Sequence, residues 1–164
     1  MKKAMSMMEI IFVIVIIGIL AGVAIPKLFA GRDDAQILKL KETLALIRSG
    51  IEQYKQNSLY TDGTSKYPDG LCLDAKRDKG TTCQNNMKNS NSFFAAVLKN
   101  PVTFGSKQGS WDGWTNKVVN ETFIYYADNN KNGYVFEYDK NKGTFKCLNS
   151  YPGAKVLPCK KLGE

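Results

Sequence analysis

The sequence predicts an α+β protein in which a long N-terminal helix packs by its distal half on a small antiparallel β-sheet, with disulfide-closed loops. Three observations predict it. An almost pure hydrocarbon run extends from Ile10 to Ile25. Apolar residues then recur at alternating gaps of three and four as far as Tyr54, the period of an amphipathic helix. After Val118 come three aromatic, β-branched runs separated by Asn/Gly-rich turns, the pattern of an antiparallel meander.

The chain has 164 residues, enough for one modest domain plus an appendage. It carries 23 Lys+Arg against 15 Asp+Glu, four cysteines and no histidine. Without histidine there is no Ser-His-Asp or Cys-His nucleophile, no HExxH site and no mixed Cys/His zinc site. No other convergent catalytic group stands out, so the expectation is a non-enzyme with no resident cofactor. The mean hydropathy is −0.29 although one end is nearly all hydrocarbon, so the remainder must be unusually polar.

The run Ile10 to Ile25 has 16 residues, about 24 Å as a helix and slightly short of a bilayer. Extending it back to Met5 gives about 31 Å but encloses Glu9, and a carboxylate in hydrocarbon needs a partner or a function. Lys2 and Lys3 hold the start of the chain in the cytoplasm, which sends everything after Pro26 across. A cleaved secretory signal ending near Ala30, or a plain signal anchor, accounts for the run and the lysines but leaves Glu9 unexplained.

Met1 to Pro26 resembles the class III signal of type IV pilins and type II secretion pseudopilins, especially the major pseudopilins. The resemblance implies a leader of residues 1–4 cut between Ala4 and Met5, N-methylation of Met5, and Glu9 as the assembly glutamate at the fifth mature position. Ser6 stands at the usual hydroxyl position, and Gly18 and Pro26 match the helix-weakening residues of the family. Ala4 and Met5 replace its usual glycine and phenylalanine. The implied fold is pilin-like, and residues 5–30 are a transmembrane and filament-core helix. The implied location is the inner membrane, single-pass, with the N-terminus cytoplasmic, the head periplasmic, and the filament in the periplasm or at the cell surface. The implied partners are a homo-oligomeric helical filament, other pseudopilins or minor pilins, a prepilin peptidase, a platform protein, an ATPase motor and inner-membrane lipid.

Physical chemistry supports those roles. Cleavage gives Met5 a free amine one turn before Glu9, and each charge gains most from a partner in low dielectric, where the amine of a neighbouring subunit sets register. Gly18, Gly22 and Pro26 share one helix face, and Pro26 cannot donate to the Gly22 carbonyl, making this the weakest stretch of the helix. Gly18 and Gly22 also allow close helix packing.

Residues 31–164 form the head. Ile37, Leu40, Leu44, Ile47, Ile51 and Tyr54 make the apolar stripe of an amphipathic helix over 33–58, laid on a sheet. Residues 59–116 read as a loop region rich in Gly, Asn, Ser, Asp and Lys, with a helical turn or two at Phe93–Leu98. The sheet occupies 117–148, with strands at Thr122–Tyr126, Tyr134–Tyr138 and Thr144–Leu148. Tyr134, Phe136 and Tyr138 alternate with Val135 and Glu137, as a sheet with one covered face requires. Residues 149–164 form a C-terminal loop.

Four cysteines allow three pairings. Two local bridges, Cys72 to Cys83 and Cys147 to Cys159, are preferred because each closes a small loop and contributes about 3 kcal/mol. They place the head in an oxidising compartment. No CxxC pair supports a zinc site.

Asp128-Asn129-Asn130-Lys131-Asn132-Gly133 fits the start of a calcium loop, with Asp128, Asn130, Asn132 and Asp139 as ligands. A hairpin turn accounts for the same letters and is the preferred reading. Lys140, Lys142, Lys146, Lys155, Lys160 and Lys161, near Phe145 and Tyr151, make a basic tail able to attract DNA phosphates, although solvated lysine surface is the commoner meaning of such a run. The function expected is a structural subunit of a type IV pilus-like filament, foremost a type II secretion pseudopilin. The alternatives are a competence filament that binds DNA for uptake and a membrane-anchored periplasmic binding module that never assembles.

Overall fold

The computed structural model describes residues 7–74, 77–81, 93–100, 102, 104–114 and 121–164, and at 23–33, 73–74, 77–81 and 114 the backbone alone. Helix α1 is Met7–Asp62 and contributes to two compact units, Met1–Gln36 and Ile37–Glu164. In the first unit the described structure is helix. Among the described residues no helix is long and apolar enough to cross a membrane. The apolar stretch with described side chains, Met7–Gly22, is shorter than the roughly 20 residues a span requires. The expected transmembrane half therefore has no support from the described residues.

In the second unit α1 buries the predicted stripe. Leu40, Leu44, Ile47 and Ile51 are all buried, and Ile37 packs at the margin of the same core. Helix α1 runs past the expected end at 58 to Asp62, where Gly63 takes the left-handed conformation (φ 65°) that commonly stops a helix and that glycine adopts without strain.

A two-stranded ribbon, β1 (Cys72–Asp74) and β2 (Arg77–Thr81), lies apart from the main sheet. The main sheet runs β3 (Trp111–Trp114), β4 (Glu121–Tyr126), β5 (Asn132–Asp139), β6 (Thr144–Leu148) in antiparallel order, with β7 (Lys155–Val156) added parallel to β5. The three predicted strands are present as β4, β5 and β6. Four others lie where loops were expected. β3 reads Trp-Asp-Gly-Trp, with no alternation long enough to mark a strand, and exists by pairing with β4, Trp111 opposite Tyr125. β1 and β2 are short and polar, and β7 has two residues.

The face of the sheet toward α1 carries Phe123, Tyr125, Tyr134, Phe136, Tyr138 and Phe145 in one core with the helix stripe. Phe94 is the hub, fully buried, with ring centroids 4.8 Å from Phe123, 5.1 Å from Trp111 and 5.8 Å from Phe145. The pairs with Trp111 and Phe145 are edge-to-face, a geometry that adds to the area they bury. Phe94 holds a left-handed φ of 57°, a conformation costly for a bulky residue and sustained here by its packing. The expected helical turns at 93–98 reduce to a single turn in which Val97 and Leu98 N–H both donate to the Phe94 carbonyl, at 3.0 and 2.7 Å. That turn lies directly on α1 at Gly50, where a Cβ would come within 2.1 Å of the Val97 oxygen.

The second face of the sheet is also covered, contrary to the one-sided expectation. Ile124, Tyr126 and Val135 are buried there beneath Leu148, Tyr151, Ala154 and Val156. The C-terminal segment supplies this cover because Leu157 N–H donates to the Gly133 carbonyl at 2.8 Å and the Cys147–Cys159 disulfide ties it to β6.

Candidate functional site

The predicted site residues fall into separate groups. Ala4 and Met5 lie outside the described residues. Glu9 stands in the first turn of α1 and is exposed. Around it the large apolar side chains from Met7 to Leu20 are between 41% and 81% exposed. Hydrocarbon exposed on every side of a helix is a surface that water does not stabilise, so it needs lipid or protein cover. A Cβ at Gly18 or Gly22 would meet nothing within 4 Å, so neither glycine serves packing inside this unit. Helix α1 runs through Gly18, Gly22 and Pro26 without a break.

The loop between β4 and β5 is an aspartate-organised turn. Asp128 Oδ1 accepts from the backbone N–H of Asn130 and Asn132, both at 2.9 Å, and Oδ2 accepts from the Asn132 side chain. These bonds, the Asn132 side chain foremost, hold the Asp128 carboxyl below the usual carboxylate range. The left-handed residue of the turn is Lys131 (φ 61°). Gly133 serves close approach instead, since a Cβ there would sit 2.5 Å from the Tyr125 oxygen.

Asp139 does not join Asp128. It lies at the far end of β5, roughly 20 Å along the strand from Asn132, and caps its own turn by accepting from Asn141 N–H at 2.9 Å. The four residues read as calcium ligands are thus split between two turns, because a strand rather than a loop separates them. Among the described residues no group of three or more acidic or cysteine ligands converges.

The basic tail keeps its lysines in solvent: Lys140, Lys142, Lys146, Lys155, Lys160 and Lys161 are all exposed. Of its two aromatic neighbours, Phe145 does not face them, being buried in the core 5.3 Å from Phe136 and stacked on it, while Tyr151 is half-buried over the second face of the sheet. A base-stacking platform at Phe145 is therefore ruled out. Cys147 and Cys159 are bonded as expected, with Cα atoms 5.9 Å apart. Cys72 is disulfide-bonded and fully buried, while Cys83 lies outside the described residues.

Three polar arrangements were not singled out in the sequence. Arg48 donates to the Phe145 carbonyl from Nε at 3.0 Å and Nη2 at 2.9 Å, and it also pairs with Glu164. Glu121, buried on β4, accepts from Leu71 N–H at 2.9 Å. Opposite it, Tyr138 donates to the Pro68 carbonyl at 2.8 Å, and burial, with Glu121 and Asp69 adding, pushes its hydroxyl pKa well up. The third is a cavity of about 550 Å³ at the end of α1. There Lys55 Nζ donates to the Tyr67 hydroxyl at 3.0 Å and stands 4.5 Å from the ring centroid. The bond to Tyr67 raises the Lys55 pKa. The one sequence signal for these groups was a charge beside an apolar stripe or opening a strand, as at Arg48 and Glu121.

Comparison with known proteins gives one point of likeness. The chain is similar to a type II secretion system core protein G. That protein, from Klebsiella michiganensis, is 35% identical over 60 residues, which cover 36% of this chain and 42% of the relative. The chain therefore spans less than half the length of the curated relative it matches. The likeness supports the pseudopilin resemblance carried by the N-terminal residues, and the helix packed on a small antiparallel sheet with a disulfide is consistent with a pilin-like α+β fold. No family model and no solved structure matches the chain.

Proposed function

We propose that this chain is a structural subunit of a type IV pilus-like filament, and specifically a pseudopilin of a type II secretion system. The observation that carries the reading is the helix of the first unit, whose large apolar side chains from Met7 to Leu20 are exposed on all sides around the carboxylate of Glu9. The likeness to a type II secretion core protein G supports it. In this reading residues 5–30 rest in the inner membrane after the leader is cut at Ala4 and Met5. They then exchange lipid for neighbouring helices in the filament, while Glu9 meets the methylated Met5 amine of a neighbouring subunit. Gly18, Gly22 and Pro26 let the helix loosen or pack closely there. The head lies in the periplasm, other pseudopilins, a peptidase, a platform protein and an ATPase motor act on the subunit, and no catalytic step or cofactor is assigned to it.

Two measurements test this. Mass spectrometry of the membrane-extracted protein should find a chain beginning at methylated Met5, and an intact Met1 or a start near Gly31 would overturn the assignment. Glu9→Val should abolish filament incorporation while the head folds normally. Indifference to Glu9→Val would identify a non-assembling anchor. A DNA-uptake filament is not favoured, because Phe145 is buried in the core and Tyr151 packs over the second face of the sheet, so neither aromatic neighbour of the basic tail stands free beside its lysines.

A further inference from the structure

We propose that the cavity walled by Lys55, Lys66 and Lys140 is a phosphate-binding site. The three lysines are distant in sequence and are brought to one cavity of about 550 Å³ by three segments: the last turns of α1, the loop that follows it, and the turn between β5 and β6. Each wall is held by the fold. Ser58 Oγ donates within the 64–66 turn and accepts from Lys66 N–H at 3.0 Å, which fixes the loop on α1. Tyr67 orients Lys55 through its hydroxyl, which in turn donates to Glu52 at 3.3 Å. The β5–β6 turn fits beneath the Tyr67 ring because residue 143 is glycine, where a Cβ would lie 2.1 Å from the ring.

Three lysines lining one cavity concentrate positive charge there, and a multiply charged anion between them offsets their mutual repulsion. The local acids offset it in part: Asp69 lines the same cavity and lies 3.9 Å from Lys140, and Glu52 is engaged through Tyr67. A positive balance remains. Ser65 and Asn141 line the same cavity and add hydroxyl and amide donors. Compact ammonium charges with hydroxyl and amide donors suit a phosphate group. That phosphate comes either free in solution or on the headgroup of a phospholipid. The site does not depend on the filament reading and stands or falls separately.

The test uses the full chain in a non-ionic detergent at low ionic strength, with inorganic phosphate titrated against chloride of equal ionic strength and the lysine ammonium resonances recorded. Saturable shifts at Lys55, with half-saturation on the order of 1 mM, are expected for contacts of this kind. K66Q/K140Q, which changes two exposed side chains, should weaken the response at least tenfold and leave the thermal midpoint without phosphate unchanged. K140E alone should weaken it as well. A response that never saturates, that chloride reproduces, or that survives in K66Q/K140Q would overturn the proposal. With the site established by saturation, tighter binding of glycerol phosphate than of inorganic phosphate assigns it to a lipid headgroup, and the reverse order assigns it to free phosphate.

Discussion

Arg48 and Phe145 join the helix to the sheet: the guanidinium donates twice to one carbonyl, from Nε at 3.0 Å and Nη2 at 2.9 Å. Glu164 completes the clamp by pairing with Arg48 and accepting from Cys147 N–H at 3.2 Å. Arg48→Lys keeps the charge but loses the fork, and we expect it to lower stability by about 1–2 kcal/mol, the scale of a charge-assisted hydrogen bond. Urea denaturation followed by tryptophan fluorescence measures this. An unchanged midpoint would show that the clamp contributes nothing.

Gly50 and Gly22 make opposite predictions on one helix. Gly50→Ala drives a methyl into the Val97 carbonyl, 2.1 Å away, and should destabilise the head by at least about 1–3 kcal/mol, as overpacking does. Gly22→Ala adds a methyl to open space and should leave the head's unfolding midpoint where it is, with any effect confined to assembly. Thermal denaturation of both variants decides the matter.

The Cys147–Cys159 bridge closes a small loop, so Cys147→Ser with Cys159→Ser should cost about 3 kcal/mol. The loss should be uneven. Amide hydrogen exchange ought to accelerate at Val135 and Ile124, beneath the C-terminal segment, more than at Phe123, beneath the helix. Uniform acceleration would mean the bridge acts only through the unfolded chain.

Asp128 links stability to acidity. Its carboxyl is held below its ordinary value of 3.8 by the bonds from Asn132 and Asn130. The stability it contributes is fully present above pH 3.8 and fades as pH falls through the lower folded value. Asp128→Asn should therefore flatten the acid limb of the stability profile while changing little of its shape near neutrality. An acid limb identical to that of the parent protein would sink this assignment.

The helix stripe was legible in sequence because one periodicity, Leu40 through Ile51, answers to one buried face. β4 to β6 were legible because aromatic and β-branched residues run long enough to alternate. β3 was not, because Trp111–Trp114 owes its strand form to Tyr125 and its neighbours rather than to its own letters. Phe94 shows the limit more sharply. Polar, glycine-rich surroundings mark its segment as a connector, yet its ring is the centre of the core, and no local pattern records which distant rings a side chain will meet. The phosphate cavity was hidden for the same reason, since Lys55, Lys66 and Lys140 converge only after the chain has folded. Asp128 and Asp139 failed in the other direction: their spacing fits a loop, and a strand came between them.

The parallel pairing of β7 with β5 imposes an order on folding. Gly133 can receive Leu157 and Val156 only after the β4–β5 hairpin has presented its edge. Local hairpins close quickly and parallel contacts late. The C-terminal segment is therefore the last piece to lock. A chain whose strap failed to dock would leave Ile124 and Val135 bare to the solvent.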